Sequence, residues 1–453
     1  MECHAGQASC QWRGMQSLSP RMDTELPRVV VLGAGFGGLE FCKAFPNGLA
    51  KLTLIDRQNH HLFQPLLYQV ATAALAATDI AQPIRSILTK KPDLTVLMAE
   101  VTGFDLPEKK VVLNTGAVSF DYLVLALGGV TSYFGHPEWE EFAPGLKSID
   151  DALKVRRQIL MAFERAETEP DPARVKELMT TVIVGGGPTG VEMAGAIAEL
   201  ARTVLRKDFD RIDPGKARVI LIEGNGRVLT AFPPELSEKA ERQLQQLGVE
   251  VRTQTRVKDI RAGEVDLGNE VIRAGSIIWA AGVSATPITS KLGVEIDRGG
   301  RVKVGPDTGL PGYPNIFAIG DMAALVDANG VAVPGVSPSA IQMGQYVARL
   351  IAAELRVKHG VPGARPAERK PFVYRDKGIM ATIGRSKAVA MFGKWRFSGY
   401  FAWLTWLFVH LVFLVGLRNK FSVFFQWAYS YFTFRRGARI ITGLSGDKSA
   451  GSA

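Results

Sequence analysis

Cysteine is scarce in this sequence. Only Cys3, Cys10 and Cys42 occur, and no two of them form a CxxC or CxxxxC pair. The scarcity argues against a disulfide scaffold and a cysteine metal site, and it favours a reducing, cytoplasmic setting. The first 27 residues also lack the continuous apolar segment that a secretory signal requires. We therefore expect residues 1–27 to form a disordered tail, and we expect no bound metal.

Acidic residues are in the minority. The chain has 44 Asp and Glu against 54 Lys and Arg, a formal net charge of +10. Such a surplus could suit nucleic acid, an anionic membrane or an anionic cofactor. Basic residues between positions 369 and 439 lie beside aromatic runs, so we expect an anionic phospholipid surface and no nucleic acid. The alternative is an ordinary solvated face.

A glycine-rich turn follows an apolar strand near the start of the chain, in RVVVLGAGFGGLE at residues 28–40. The pattern predicts a buried strand, a phosphate-binding turn and a helix whose N-terminus faces an anion. Gly33 permits the tight turn, Gly35 lets the backbone approach a pyrophosphate, and Gly38 lets the helix pack on the strand. The next strand, KLTLIDR, contains Asp56, where a ribose hydroxyl would bind. The stretch therefore predicts an adenine-dinucleotide site.

The same pattern returns in TVIVGGGPTG at residues 181–190, with Gly185, Gly187 and Gly190 in the equivalent positions. The following strand ends in Glu223. A carboxylate there accepts a hydrogen bond from a ribose 2′-hydroxyl and repels a 2′-phosphate, which favours NAD, although a nearby arginine tempers the preference. Two such modules predict an α/β fold with two Rossmann-like domains, one for a donor dinucleotide and one for a second cofactor.

Connecting elements are predicted between and after the modules. Strands are expected at residues 94–101, 110–114 and 120–126, and a helix capped by Ser148 is expected to run to residue 167. The following EPDP segment breaks the helix, and we place a domain boundary there.

The C-terminal part is apolar and aromatic. Residues 400–417 form a segment of about 18 residues without formal charge. This length is at the threshold for crossing a bilayer. Trp403, Trp406 and His410 recur at helical spacing, a stripe suited to the headgroup level of a membrane. The alternatives are a buried helix pair, a homodimer interface or a single membrane span.

Residues 421–434 predict an amphipathic helix lying in a membrane interface. One face is polar and contains Ser422, Gln426, Ser430 and Thr433. Another face is apolar and contains Phe421, Phe424, Phe425, Ala428 and Phe432. We expect three flanking cations to bind anionic lipid: Arg435, Arg436 and Arg439.

Both glycine motifs with their acids, together with NIFAIGD ending in Asp321, resemble the two-dinucleotide-binding flavoprotein superfamily. HHLFQPLLYQVATAALAATDIAQPIR, VSPSAIQMGQYVA and the aromatic C-terminus resemble bacterial type II NADH dehydrogenases, over residues 27–443. The resemblance implies a non-proton-pumping NADH:quinone oxidoreductase with non-covalent FAD, NADH as substrate and a membrane quinone as acceptor. It also implies a peripheral or monotopic protein at the cytoplasmic face of a bacterial inner membrane.

Residue roles follow from the resemblance. FAD would be held by Gly33, Gly35, Gly38, Asp56, Val101, Gly128, Asp321 and Gln342. NADH would be held by Gly185, Gly187, Gly190 and Glu223. Glu192 would be the catalytic acid near the nicotinamide, the alternative being a helix-end carboxylate with no special role. Quinone would contact Gln342, Ile341 and Gly344. Two departures from the family pattern, Leu127 and Pro338, bear on the quinone pocket.

The domain prediction combines these elements. The FAD-binding domain is expected at residues 28–150 and 300–375, the NADH-binding domain with its linker helix at 151–299, and the amphipathic membrane-docking region at 376–445. The alternatives are a soluble ferredoxin or rubredoxin reductase and a redox-sensing flavoprotein resembling apoptosis-inducing factor. A sulfide:quinone oxidoreductase would need cysteines near the flavin, and this sequence has none there.

Overall fold

The computed structural model describes residues 26–365, 368–433 and 436–441. Almost all of the predicted N-terminal tail lies outside the described residues, as does Arg435. The first part of the chain contains β1 (Arg28–Leu32), α1 (Phe36–Ala44), β2 (Lys51–Asp56), β3 (His60–Leu62), α2 (Leu67–Ala71), α3 (Ala77–Ile80), β4 (Ala81–Pro83), α4 (Ile84–Ile87), β5 (Leu94–Met98), β6 (Val101–Asp105), β7 (Lys110–Leu113), β8 (Gly116–Ser119), β9 (Tyr122–Leu125), β10 (Gly129–Thr131) and α5 (Ile149–Thr168).

The middle part contains α6 (Pro172–Leu178), β11 (Thr180–Val184), α7 (Pro188–Glu199), β12 (Arg218–Ile222), α8 (Pro234–Gln246), β13 (Val249–Arg252), β14 (Asp259–Arg261), β15 (Glu264–Asp266), β16 (Val271–Arg273), β17 (Ser276–Trp279) and β18 (Val283–Ala285). The last part contains β19 (Val302–Lys303), β20 (Gly309–Leu310), β21 (Tyr313–Ala318), β22 (Ala323–Ala324), α9 (Ser337–Lys358), β23 (Ile379–Gly384), β24 (Lys387–Phe392), β25 (Trp395–Ser398), α10 (Tyr400–Phe413) and α11 (Leu417–Thr433).

Two sheets form the two dinucleotide modules, and their strands are parallel except for the edge strand β20, which pairs antiparallel with β21. The first has the strand order β20-β21-β9-β1-β2-β5, and the second has the order β13-β12-β11-β17. Strands β1 and β11 lie inside their sheets, which explains their continuous β-branched sequences, because an inner parallel strand is buried on both faces. An antiparallel pair of β10 and β18 joins the modules. The predicted α/β class with two Rossmann-like units is confirmed.

The helix predicted after Ser148 is present, because Ser148 and Asp151 cap its N-terminus with reciprocal hydrogen bonds. Helix α5 begins after Ser148, whose hydroxyl accepts from the Asp151 N–H at 3.1 Å while Asp151 Oδ2 accepts from the Ser148 N–H at 2.9 Å. The single strand expected at residues 94–101 is wrong, because β5 and β6 replace it. The chain turns between them, where the Glu100 N–H donates to Asn114 Oδ1 at 3.0 Å.

The C-terminal part packs on the second module. Strands β23, β24 and β25 form an antiparallel sheet against α7 and α8. Gly195 in α7 permits this contact, since a Cβ there would collide with the Ile383 carbonyl oxygen. The apolar run at residues 400–417 is not one helix, because the chain breaks at Gly416, which adopts φ +89°. Among the described residues, the helices are too short or too polar to cross a bilayer.

The headgroup stripe predicted on α10 is wrong for two of its three residues. Trp406 is 1% exposed and stacks on His410 with ring centroids 3.9 Å apart. It also meets the buried Tyr68 of α2 edge to face. These rings pack into the protein because α10 covers the end of the core between α2 and α7. Burial lowers the pKa of His410 to about 4, so this histidine is neutral.

Helix α11 has the predicted amphipathic pattern, and its polar face points toward the protein. Ser422 Oγ and Gln426 Nε2 both donate to the buried carboxylate of Asp79, at 2.8 and 2.9 Å. The apolar face is exposed, with Phe425 64% and Phe432 79% accessible. The helix therefore presents aromatic side chains to its surroundings.

The lipid-binding prediction for two flanking arginines is wrong. Arg436 is buried, lies 3.5 Å from Glu199 and donates to the Thr72 carbonyl at 2.9 Å. Arg439 pairs with Asp208. Both cations hold the C-terminal end against the rest of the protein through carboxylates that are distant in sequence.

Gly344 makes a testable packing contact between α1 and α9. A Cβ at this position would collide with the Gly37 carbonyl oxygen. Gly344→Ala should destabilise the fold by about 1–3 kcal/mol through overpacking, which thermal unfolding would show as a lower midpoint. Gly437→Ala is the matched control, because a Cβ at that glycine would have no atom within 4 Å. Equal midpoints for the two variants would contradict the packing role.

Candidate functional site

One cavity of about 1580 Å³ lies between the modules. Its lining includes the first glycine turn with Gly33 and Asp56, and also Thr189 and Glu192 of α7. The glycines of the second turn and Glu223 are not in the lining. The carboxyl ends of the parallel strands of both sheets open toward it, as expected for ligand sites in this class of sheet.

The first turn is shaped for an anionic group. Gly33 adopts φ +96°, and a Cβ on Gly38 would collide with the Gly33 carbonyl oxygen. Gly35 lies directly before α1, and no atom lies within 4 Å of the position where a Cβ would stand. The backbone is thus open at the helix N-terminus, where a pyrophosphate is favoured.

Asp56 completes the first turn. Its Oδ2 accepts from the Ala34 N–H at 2.6 Å, and its Oδ1 accepts from the Gln58 N–H at 2.7 Å. Burial raises the pKa of Asp56, and these backbone N–H groups oppose the rise. The carboxylate is therefore fixed at the cavity wall with lone pairs left for a ribose hydroxyl.

The second turn repeats the arrangement. Gly185 adopts φ +111°, Gly187 faces open space, and a Cβ on Gly190 would collide with the Gly185 carbonyl oxygen. Glu223 Oε2 accepts from the Gly186 N–H at 2.6 Å, and its Oε1 accepts from the Asn225 N–H at 2.7 Å. Glu223 is therefore held beneath its turn as Asp56 is held beneath the first.

The structure brings most of the predicted FAD residues to this cavity. Its lining includes Val101, Gly128 and Asp321 as well as the first turn. Leu127, one departure from the family pattern, donates its backbone N–H to Met322 Sδ at 3.2 Å, so its side-chain identity does not enter that contact. A cavity lined by an open glycine turn and by the carboxylates of Asp56 and Asp321 fits a dinucleotide, which brings phosphates and hydroxyl groups.

The predicted quinone residues are not in the lining. Gln342 exchanges two hydrogen bonds with the Arg375 backbone, at 2.9 and 3.0 Å. Gly344 packs against Gly37, and Ile341 does not border the cavity. Ser337 and Ala340 are the residues of α9 that do. The assignment of quinone to residues 341, 342 and 344, and of FAD to Gln342, remains a prediction that the cavity lining does not support.

Glu192 lies where three parts of the chain meet. It stands near the start of α7, its Oε1 is 3.5 Å from the Thr382 N–H of β23, and the indole of Trp406 lies beside it. Burial raises the pKa of Glu192 to about 8, and the contacts with Thr382 and Trp406 partly oppose this rise. The carboxyl is therefore protonated at neutral pH and borders the cavity.

Several lining residues escaped the sequence analysis. Gln64 and Tyr68 come from the segment around α2, and Lys147 comes from the loop before α5. Tyr68 OH accepts from Gln69 Nε2 at 2.9 Å, and Gln69 Oε1 accepts from Trp427 Nε1 of α11 at 2.7 Å. No periodicity or motif in the sequence pairs residue 69 with residue 427, so this connection from α11 to the cavity wall was not predictable.

Comparisons with known proteins agree with the geometry. The profile of the pyridine nucleotide-disulphide oxidoreductase family matches residues 27–344, and that of the NDH2 C-terminal domain matches residues 377–436. The type II NADH:quinone oxidoreductase Ndh of Mycobacterium tuberculosis is 46% identical over 92% of this chain and 90% of its own length. A second enzyme of that organism, the type II NADH:quinone oxidoreductase NdhA, is 45% identical over 92% of this chain and 89% of its own length.

A solved structure shows the same fold. NDH2 of Plasmodium falciparum in complex with NADH has a TM-score of 0.82 and 20% identity, covering 92% of this chain and all of that chain. Sulfide:quinone oxidoreductase of Aquifex aeolicus is less similar, with a TM-score of 0.66 and 19% identity, covering 90% of this chain and 95% of its own. Together with the two glycine turns, the similarities to the curated relatives show that the chain belongs to the FAD-dependent type II NADH:quinone oxidoreductases.

Proposed function

We propose a division of the cavity among the three reactants of this enzyme. FAD lies on the first glycine turn and extends past Asp321, NADH arrives from the second turn, and quinone arrives beside α2 and α10. The observation that carries the proposal is that one cavity is lined by the first glycine turn and by Thr189 and Glu192 of α7, the helix that follows the second turn, with Glu192 lying against β23 and α10. FAD supplies the chemistry by accepting a hydride from NADH and passing two electrons to quinone.

The chain's own residues would hold and orient the nucleotides. Gly35 and Gly187 leave backbone N–H groups open at helix N-termini, where pyrophosphate charge is favoured. Asp56 and Glu223 are fixed by backbone donors, so their remaining lone pairs point in set directions toward ribose hydroxyls.

Glu223 provides the first test of this assignment. Glu223→Gln keeps the acceptor oxygen but removes the charge that repels a 2′-phosphate, so the ratio of kcat/KM for NADH over NADPH should fall about tenfold or more. Steady-state kinetics with both nucleotides measure it. The exposed Glu238→Gln on α8 is the control and should leave the ratio unchanged. An unaltered ratio in Glu223→Gln would mean that another group selects the nucleotide.

Glu192 is proposed to supply a proton during quinone reduction. Quinone needs two protons along with two electrons, and a protonated carboxyl at the cavity wall is a general acid with a suitable pKa at neutral pH. Tyr68 lies next to it on the α2 side, and burial and then the Glu192 charge raise the pKa of its phenol. Tyr68 therefore stays neutral and serves as a hydrogen-bonding wall.

The Glu192 pKa also predicts a stability effect. The folded protein keeps this proton up to about pH 8, whereas the unfolded chain releases it near pH 4.5, so the carboxyl lowers stability progressively as pH rises through that window. Glu192→Gln should therefore gain in thermal midpoint over the wild type as pH rises, while quinone turnover falls about 100-fold or more. The exposed Glu164→Gln is the control. If the difference in thermal midpoint between Glu192→Gln and the wild type does not change with pH, and quinone turnover is normal, Glu192 has no catalytic role.

The exposed faces of α10 and α11 are proposed to dock on an anionic membrane. Eight large apolar or aromatic side chains on these helices are more than half exposed: Phe401, Phe408, Phe413, Leu417, Phe421, Phe425, Tyr429 and Phe432. Arg418 is exposed among them and provides positive charge near the surface. A patch of this kind on a protein with +10 net charge fits peripheral attachment. The alternative is that this patch is the interface of a homodimer.

Surface substitution tests docking better than truncation, since Trp406 and Val423 of these helices belong to the core. A triple variant, Phe421→Ser, Phe425→Ser and Phe432→Ser, loses about 1.5–3 kcal/mol of transfer free energy per side chain. Binding to vesicles with anionic lipid should weaken roughly a thousandfold in flotation assays, while NADH still reduces the bound FAD. Serine at three exposed valines, Val271, Val326 and Val331, is the control.

The docking proposal has two contrary outcomes. If the triple variant still floats with vesicles at high and low salt, another surface binds the membrane. If the wild type is a dimer in detergent-free solution and the triple variant is a monomer, the patch is an interface between copies.

A further inference from the structure

Lys147 lies in the cavity wall with its main chain fixed from two sides. Its N–H donates to Asp151 Oδ2 at 3.0 Å, and its carbonyl accepts from Gln64 Nε2 at 3.3 Å. The residue directly precedes Ser148, the cap of α5. The long side chain therefore leaves a fixed backbone and borders the cavity.

The ammonium group of Lys147 has no hydrogen-bond partner among the described residues. The Asp151 carboxylate is already used by the N–H groups of Lys147 and Ser148. The carboxylate that acts on the ammonium through space is Asp321. Burial lowers the pKa of Lys147, and Asp321 opposes that shift.

Lys147 is half-buried, and a cation partly removed from water without a hydrogen-bond partner favours a ligand that brings negative charge. Asp321, Thr189 and Glu192 border the same cavity as Lys147, and Asp321 is the carboxylate that acts on the ammonium. If FAD lies on the first turn and extends past Asp321, as proposed above, the part of the cofactor beyond the pyrophosphate comes close to Lys147.

The reaction itself creates a negative charge on the bound flavin. A hydride carries two electrons and one proton, so its transfer from NADH leaves oxidised nicotinamide and adds one negative charge to the flavin ring. We propose that Lys147 is a positioning residue that stabilises this added charge and thereby raises the midpoint potential of the bound flavin. The inference rests on FAD binding in the cavity as described above.

The test compares charge-removing and charge-keeping variants of the FAD-loaded protein. Lys147→Met should bind reduced FAD about tenfold more weakly relative to oxidised FAD, which corresponds to a midpoint potential about 30 mV more negative. Lys147→Gln should shift in the same direction, and Lys147→Arg should stay near the wild type. Spectroelectrochemical titration without NADH or quinone measures the potentials. Lys154→Met on the exposed face of α5 is the matched control.

Two results would overturn the proposal. Equal loss of affinity for oxidised and reduced FAD, with an unchanged potential, would assign Lys147 to a phosphate or ribityl contact. Unchanged potential and affinity in both Lys147→Met and Lys147→Gln would show that the ammonium does not act on the flavin. Failure of the wild type to bind FAD would instead refute the cavity assignment, so the two failures are distinguishable.

Discussion

Helix α7 connects the second glycine turn with the C-terminal part of the protein, and both regions are positioned by their contacts with it. Its N-terminus follows the second glycine turn, and Glu192, Gly195 and Glu199, spaced for one helical face, all contact the C-terminal part. Glu192 meets β23 and α10, Gly195 lies against the Ile383 carbonyl, and Glu199 accepts from the Arg385 N–H and pairs with Arg436. A single rigid helix thus joins the nucleotide turn to the helices that carry the exposed aromatic surface.

This arrangement requires a buried acid that stability alone would not retain. An enclosed carboxyl without a cation lowers folding stability at neutral and higher pH, because the unfolded chain gains by ionising it. Glu199, further along the same face, has Arg436 as its counterion. Among the described residues, Glu192 has a backbone donor 3.5 Å away and a neighbouring indole as its polar contacts, and no cation pairs with it. This contrast between two acids on one helix supports the proposal that Glu192, and not Glu199, donates the proton.

Features that depend on residues close together in the sequence were predicted correctly. The glycine turns, the acids that follow them and the cap of α5 are short-range features, and all of them are in the expected positions. Trp406, His410 and Arg436 were misassigned to the membrane because their partners, Tyr68, Phe63 and Glu199, are hundreds of residues away in the chain. Lys147 was missed for the same reason, since only the fold brings it near Asp321. Hydrophobic periodicity identified the helices but not which face turns inward.

Quinone is proposed to reach the flavin beside α2 and α10, under the exposed aromatic surface of α10 and α11. Photolabelling can test this route. The protein is placed in lipid nanodiscs with a photoreactive quinone and reduced with NADH, and the quinone is then activated by light. Labelled peptides are identified by mass spectrometry. We predict adducts in residues 64–71 and in α10, with competition by unlabelled quinone. Competable adducts confined to residues 341–345 of α9, with none in α2 or α10, would contradict the account.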